Sequence, residues 1–146
     1  MLKPIIKSFD ELTTSELYKI IQIRTEIFVV EQDCVYQDLD FKDQKALHLF
    51  FTKNEEIIAY TRLFKPGDYF TEASIGRVVV RESARKDGLG HILMKASISA
   101  IETHFNTNDI KIGAQTYLEK FYESHGFKQI GEGYLEDGIP HIHMVK

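Results

Sequence analysis

Val78-Val79-Val80-Arg81-Glu82-Ser83-Ala84-Arg85-Lys86-Asp87-Gly88-Leu89-Gly90 joins a run of three valines to a pair of closely spaced glycines. The β-branched run at its start reads as the end of a strand, and the uninterrupted valines suggest burial on both faces. From Leu89 the period becomes helical, with Leu89, Ile92, Leu93, Ala96 and Ala100 on one side and the pattern fading near Phe105. A strand, a glycine loop and a helix in this order make an anion site. The free amides of the helix start point outward, and the helix dipole favours negative charge there. Glycines at 88 and 90 remove the Cβ atoms that would hold a phosphate off the backbone, and Arg85 and Lys86 add positive charge. A plain turn that needs positive φ at one glycine would use the same residues. The segment lacks the Gly-Lys-Ser/Thr ending of a P-loop and the three spaced glycines of a dinucleotide fingerprint.

Upstream of this stretch, Ile5 to Phe9 reads as a first strand, and Thr13-Thr14-Ser15-Glu16 matches a capping box that starts a helix. Leu17, Ile20, Ile21, Ile27 and Phe28 form the apolar stripe of that helix, and Arg24 falls on it. A buried guanidinium needs acceptors, so a salt bridge to Glu31, Asp38 or Asp40 is expected. Strands follow at Ala46 to Thr52 and Ile57 to Phe64, joined by the turn Lys53-Asn54-Glu55-Glu56, and then at Ala73 to Val80. Downstream, Ile110 to Ala114 is a strand and Tyr117 to His125 a short helix stopped by Gly126. Strands near Phe127 to Glu132 and at Ile139 to Val145 flank the turn Glu136-Asp137-Gly138. The element order is β α β β β α β α β β.

The chain has 146 residues and offers no repeat or linker at which to divide it, so residues 1–146 read as a single domain. Cys34 is the sole cysteine, which rules out an internal disulfide and suggests a reducing compartment. The first residues lack the apolar core of a signal peptide, and no apolar run is long enough to cross a bilayer. A cytoplasmic protein without membrane partners is expected. A net charge of -4 with interspersed signs argues against a nucleic-acid partner.

The glycine segment resembles the cofactor motif of the GNAT superfamily of N-acetyltransferases, Arg/Gln-x-x-Gly-x-Gly/Ala, with Arg85, Gly88 and Gly90 at the specified positions. The likeness covers essentially the whole chain. It extends to Tyr117-Leu118-Glu119-Lys120-Phe121-Tyr122-Glu123-Ser124-His125-Gly126-Phe127, similar to a second signature of an aromatic pair followed by Gly-Phe. Phe28-Val29-Val30-Glu31-Gln32, Gly76-Arg77-Val78-Val79-Val80, Ala114-Gln115 and His141-Ile142-His143-Met144 resemble the ElaA-like branch. The resemblance implies an α/β (α+β) GNAT fold, a mixed central sheet of about six to seven strands flanked by about three to four helices. It further implies transfer of an acetyl group from acetyl-CoA to a primary amine on a small molecule or peptide, without a metal. An acyl-CoA-binding regulatory module of the same fold is the alternative.

By the same resemblance the CoA pyrophosphate would lie on the loop formed by Arg85, Lys86, Asp87, Gly88, Leu89, Gly90 and His91. The pantetheine arm would run along Val78, Val79 and Val80. Tyr122 matches the position that protonates the departing thiolate, although an aromatic at helical spacing could simply pack. The Val79 or Val80 amide would meet the oxyanion. Glu31, Glu72, His48 and His141 are the candidates for the general base. His141 and His143 share a strand face, a metal-like spacing without a convincing third ligand. The acceptor is expected between Glu31 to Asp43 and the turn Tyr134 to His141, where acidic residues would attract a cationic amine. A homodimer is compatible with all of this.

Overall fold

A computed structural model describes residues 2–146. The strands are β1 (Ile5–Ser8), β2 (Leu47–Lys53), β3 (Glu56–Phe64), β4 (Ser74–Val80), β5 (Lys111–Gln115), β6 (Lys128–Glu136) and β7 (Ile139–Val145). The α-helices are α1 (Thr14–Arg24), α2 (Leu89–Phe105) and α3 (Glu119–Glu123), in the element order read from the sequence. The seven strands fall into two antiparallel sheets, β1-β2-β3-β4 and β5-β7-β6. The sheets meet at a single parallel bridge between Ala73 and Ile110, where Ala73 N–H donates to Asp109 O at 3.2 Å and Lys111 N–H to Ala73 O at 2.9 Å. Beyond that bridge β4 and β5 separate, so the mixed central sheet is split along its middle.

A bulge marks where β4 bends. Tyr60 of β3 faces Val79 and Arg62 faces Gly76, so two steps on β3 span three on β4. Arg77 takes up the extra residue with φ of 51°, a left-handed conformation that costs a non-glycine residue energy. A bulge of this kind kinks its strand and increases the local twist, turning β4 away from β5. Val78 and Val80 are therefore only half buried, contrary to the double-sided burial expected from the valine run. The gap replaces one packing partner.

Alternating residues of β2 feed two cores: Leu49 and Phe51 join the cluster under α2, Phe50 the one under α1. The Thr13 capping box holds the start of α1, with Glu16 N–H donating to Thr13 Oγ1 at 3.0 Å and Thr13 N–H to Glu16 Oε1 at 2.8 Å. The helix then widens into a π-helical stretch, Thr25–Glu31, seen in Gln32 N–H donating to Ile27 O at 3.2 Å. In β6 an irregularity between Ile130 and Tyr134, with Gly131 at φ 68°, carries the strand past its expected end at Glu132 to Glu136. Asp137 and Gly138, both at positive φ, close the β6–β7 hairpin as the two central residues of a tight turn.

Arg24 is fully buried and its Nε donates to Asp38 at 2.8 Å, one of the three partners expected. Its second carboxylate is Asp43, at 2.8 Å from Nη1, and not Glu31 or Asp40. Asp43 also accepts from Arg62 at 2.9 Å, Arg62 grips Asp40 through both terminal nitrogens, and Arg77 reaches Asp38 at 2.8 Å. Three arginines and three aspartates thereby anchor the stretch from 32 to 42, which has no regular secondary structure of its own. His48 completes the cluster, with Nε2 on Asp43 O at 2.9 Å and Nδ1 on the Tyr60 hydroxyl at 2.6 Å.

Candidate active site

The split between β4 and β5 opens into a cleft of about 740 Å³. The π-helical end of α1 and the anchored stretch after it form one wall, with Phe28, Glu31, Cys34 and Tyr36; β5, α3 and the β6–β7 hairpin form the other. Strand alternation fixes what β4 offers. Arg81 N–H donates to Ile58 O at 2.8 Å, so the backbone of Val79 also turns toward β3, and that of Val80 turns toward the cleft. Of the two oxyanion amides expected, Val80's is the one that faces the gap.

At the mouth of the cleft a 3-10 turn, Glu82–Asp87, leads into Gly88, whose φ of 68° makes it the glycine that the turn itself requires. Gly88 caps α2 with no side-chain hydrogen bond, and the first turn holds no acidic residue. His91 and Ile92 N–H both donate to Gly88 O, so the amides of Leu89 and Gly90 at the start of the helix have no intrahelical acceptor. A Cβ at Gly90 would lie 3.5 Å from the Phe121 ring, an ordinary contact. Arg85 lies across the mouth, its Nε donating to Val80 O at 2.9 Å and its Nη2 to Glu31 at 2.7 Å.

Val78, Val79, Val80, Arg85, Gly90 and Tyr122 thus come together on one cleft. Lys86, Asp87, Gly88, Leu89 and His91 do not line it. Asp87 and Leu89 border a smaller cavity on the other side of the loop, and the His91 ring pairs with His125 at 2.9 Å. Tyr122 is 6% exposed and sits edge-on to Phe121. Burial pushes its phenol above the ordinary range, and Tyr117 adds to the effect, so its proton is held at neutral pH.

Of the four base candidates, Glu31 and His141 line the cleft. His48 is fully buried with both ring nitrogens engaged, and Glu72 lies off the cleft. His143 turns to Phe70 and Tyr134 rather than sharing a ligand set with His141. Gln32 and Gln115, which carried no predicted role, bridge the two walls through their side-chain amides at 3.3 and 3.5 Å. Both belong to motifs quoted above, but only the fold shows that those motifs meet.

Split sheet, helix start and cleft define a class through the structures they superpose on. An acyl-CoA N-acyltransferase from Pseudomonas aeruginosa matches with a TM-score of 0.93 and 40% identity, over 99% of each chain. The family model for the acetyltransferase (GNAT) domain matches residues 15–146. Protein ElaA of Escherichia coli strain K12 is 41% identical over 138 residues, covering 93% of this chain and 90% of ElaA, and the ElaA crystal structure superposes with a TM-score of 0.92. A UPF0039 protein of Schizosaccharomyces pombe is 40% identical over 145 residues, 98% of this chain and 95% of that protein. The chain belongs to the GNAT acyltransferase superfamily, in its ElaA-like branch.

Proposed function

We propose that the protein transfers an acetyl group from acetyl-CoA directly to a primary amine, using the cleft between β4 and β5. The observation that carries this is a start of α2 without a side-chain cap, at the mouth of a cleft along which the Val80 backbone of β4 turns away from β3. The donor pyrophosphate lies on the loop amides between Lys86 and His91, with Arg85 exchanging Glu31 for a phosphate oxygen. The pantetheine arm pairs with β4 along Val78 to Val80 and brings the thioester to the middle of the cleft. The Val80 amide stabilises the oxyanion of the tetrahedral intermediate.

Amine nitrogen attacks the carbonyl carbon, the C–S bond breaks, and the departing thiolate takes the Tyr122 proton. Acceptors, small amines or the amino group of a peptide, enter between the 32–42 stretch and the β6–β7 hairpin. Asp40 and Asp137 lie on that side of the cleft.

Gly90→Val tests the donor grip: its Cβ would lie 3.5 Å from the Phe121 ring, an ordinary contact, and its added bulk would stand where a phosphate approaches the start of α2. Calorimetric titration is expected to show acetyl-CoA affinity reduced at least about tenfold with the melting temperature nearly unchanged. Undiminished affinity in the folded variant would remove the donor from this loop. Gly88→Val is the poorer probe, since a β-branched residue at φ of 68° strains the turn itself.

A further inference from the structure

We infer that His141 is the general base that deprotonates the acceptor amine, an assignment that rests on the transferase reading above. His141 sits on β7 directly opposite Gln115 of β5 and Tyr134 of β6. Residues paired across strands share a sheet face, and Gln115 and His141 both line the cleft.

The ring is held in one tautomer. Its Nδ1 lies 2.7 Å from Ile139 O, a carbonyl that can only accept, so Nδ1 carries the hydrogen and the neutral ring keeps its lone pair on Nε2. The Glu136 carboxylate lies 3.5 Å from Nε2, a counter-charge for the imidazolium formed during the reaction. The Tyr134 ring stacks on the imidazole at 5.7 Å and fixes its plane. Gly113 makes room for that arrangement: a Cβ there would come within 2.9 Å of the Tyr134 hydroxyl.

Four of the other charged side chains of the cleft are ion-paired, while Glu136 and Asp137 lie at its hairpin end. Glu31 is paired with Arg85, Asp40 with Arg62, and Arg77 with Asp38. Asp137 is the first central residue of the hairpin turn, and its backbone carbonyl accepts from Cys34 Sγ at 3.5 Å. His141 therefore combines a lone pair on Nε2, a nearby counter-charge, a fixed orientation and a place on the cleft wall beside the acceptor entrance.

The proton balance closes. One N–H bond of the incoming ammonium breaks and its proton goes to Nε2. The freed lone pair attacks the thioester carbon, and the thiolate leaves with the Tyr122 proton. The amide cation returns a second proton to the Tyr122 phenolate, and His141 releases its own to solvent.

His141→Asn keeps a donor for the Ile139 carbonyl but has no basic nitrogen; His141→Gln serves should the asparagine variant fail to fold. Each is assayed with acetyl-CoA and two acceptors, the best aliphatic amine of a panel, protonated at neutral pH, and hydroxylamine, which is largely neutral there. The expected result is a loss in kcat/KM of roughly 10²-fold for the aliphatic amine and under about tenfold for hydroxylamine, with acetyl-CoA affinity unchanged. Equal losses for both acceptors would make His141 a structural residue, and full activity with the aliphatic amine would remove it from the reaction; either overturns the assignment. Wild-type transfer to the two amines tests the transferase reading separately, and its absence would overturn both.

Discussion

Asp43→Ala is expected to lower the free energy of unfolding by about 3–5 kcal/mol, measured by denaturant titration. That is a large share of the roughly 5–15 kcal/mol that stabilises a typical domain. Asp43 joins two buried guanidiniums, Arg24 at 2.8 Å and Arg62 at 2.9 Å, and its loss leaves both short of a counter-charge. Arg62 has no reserve, because its Nε is already buried without a partner. A loss below about 1 kcal/mol, the value usual for a surface pair, would mean that water reaches the cluster.

The same cluster sets an acid limit. Burial by itself would raise the Asp40 and Asp43 carboxyls, but hydrogen bonds and charge from Arg62, and from Arg24 at Asp43, outweigh it; Asp40 falls to about 2 and Asp43 below its usual range. Folded pKa values depressed in this way add stability above the unfolded value near 4, and that stability disappears as pH falls toward about 2. Wild-type stability should drop over that window, and Asp43→Ala should drop less steeply.

Tyr122→Phe is expected to reduce kcat by roughly 10²-fold or more while acetyl-CoA affinity stays within about twofold. The substitution removes one oxygen and keeps the ring against Phe121 and Phe127, so packing is preserved. A phenol held above its ordinary pKa by burial is protonated at neutral pH and can donate to a thiolate as it forms. Full turnover by the phenylalanine variant in a steady-state assay would reduce Tyr122 to a packing role.

Local chemistry wrote much of this fold plainly into the sequence. The Thr13–Glu16 capping box, the helical period from Leu89 to Phe105 and the Asp137-Gly138 turn each depend on neighbouring residues, and each lies where expected. What depends on distant pairing was hidden. The three valines resembled a strand buried on both faces because periodicity cannot report that β4 leaves β5 after a single bridge. Arg24 was legible as needing an anion, but Asp43 lies 19 residues away and became its partner only through the fold.

The candidate site shows the same division. The glycine loop is a contiguous motif and could be read directly, with Gly88 serving the turn and Gly90 facing the cleft. Gln32 and Gln115 are separated by 83 positions and meet across the cleft only in three dimensions. The tautomer of His141 is likewise invisible in sequence, because it depends on where the Ile139 carbonyl points.

Acyl transfer from CoA to an amine in this cleft requires that thiol release and acylated amine, measured together with acetyl-CoA and a panel of primary amines, rise in step. The predicted result is one free thiol for each molecule of N-acetylated product, with both lost together in Tyr122→Phe. Tight acetyl-CoA binding with no acylated amine from any member of the panel would contradict it, and would leave an acyl-CoA-binding module in place of an enzyme.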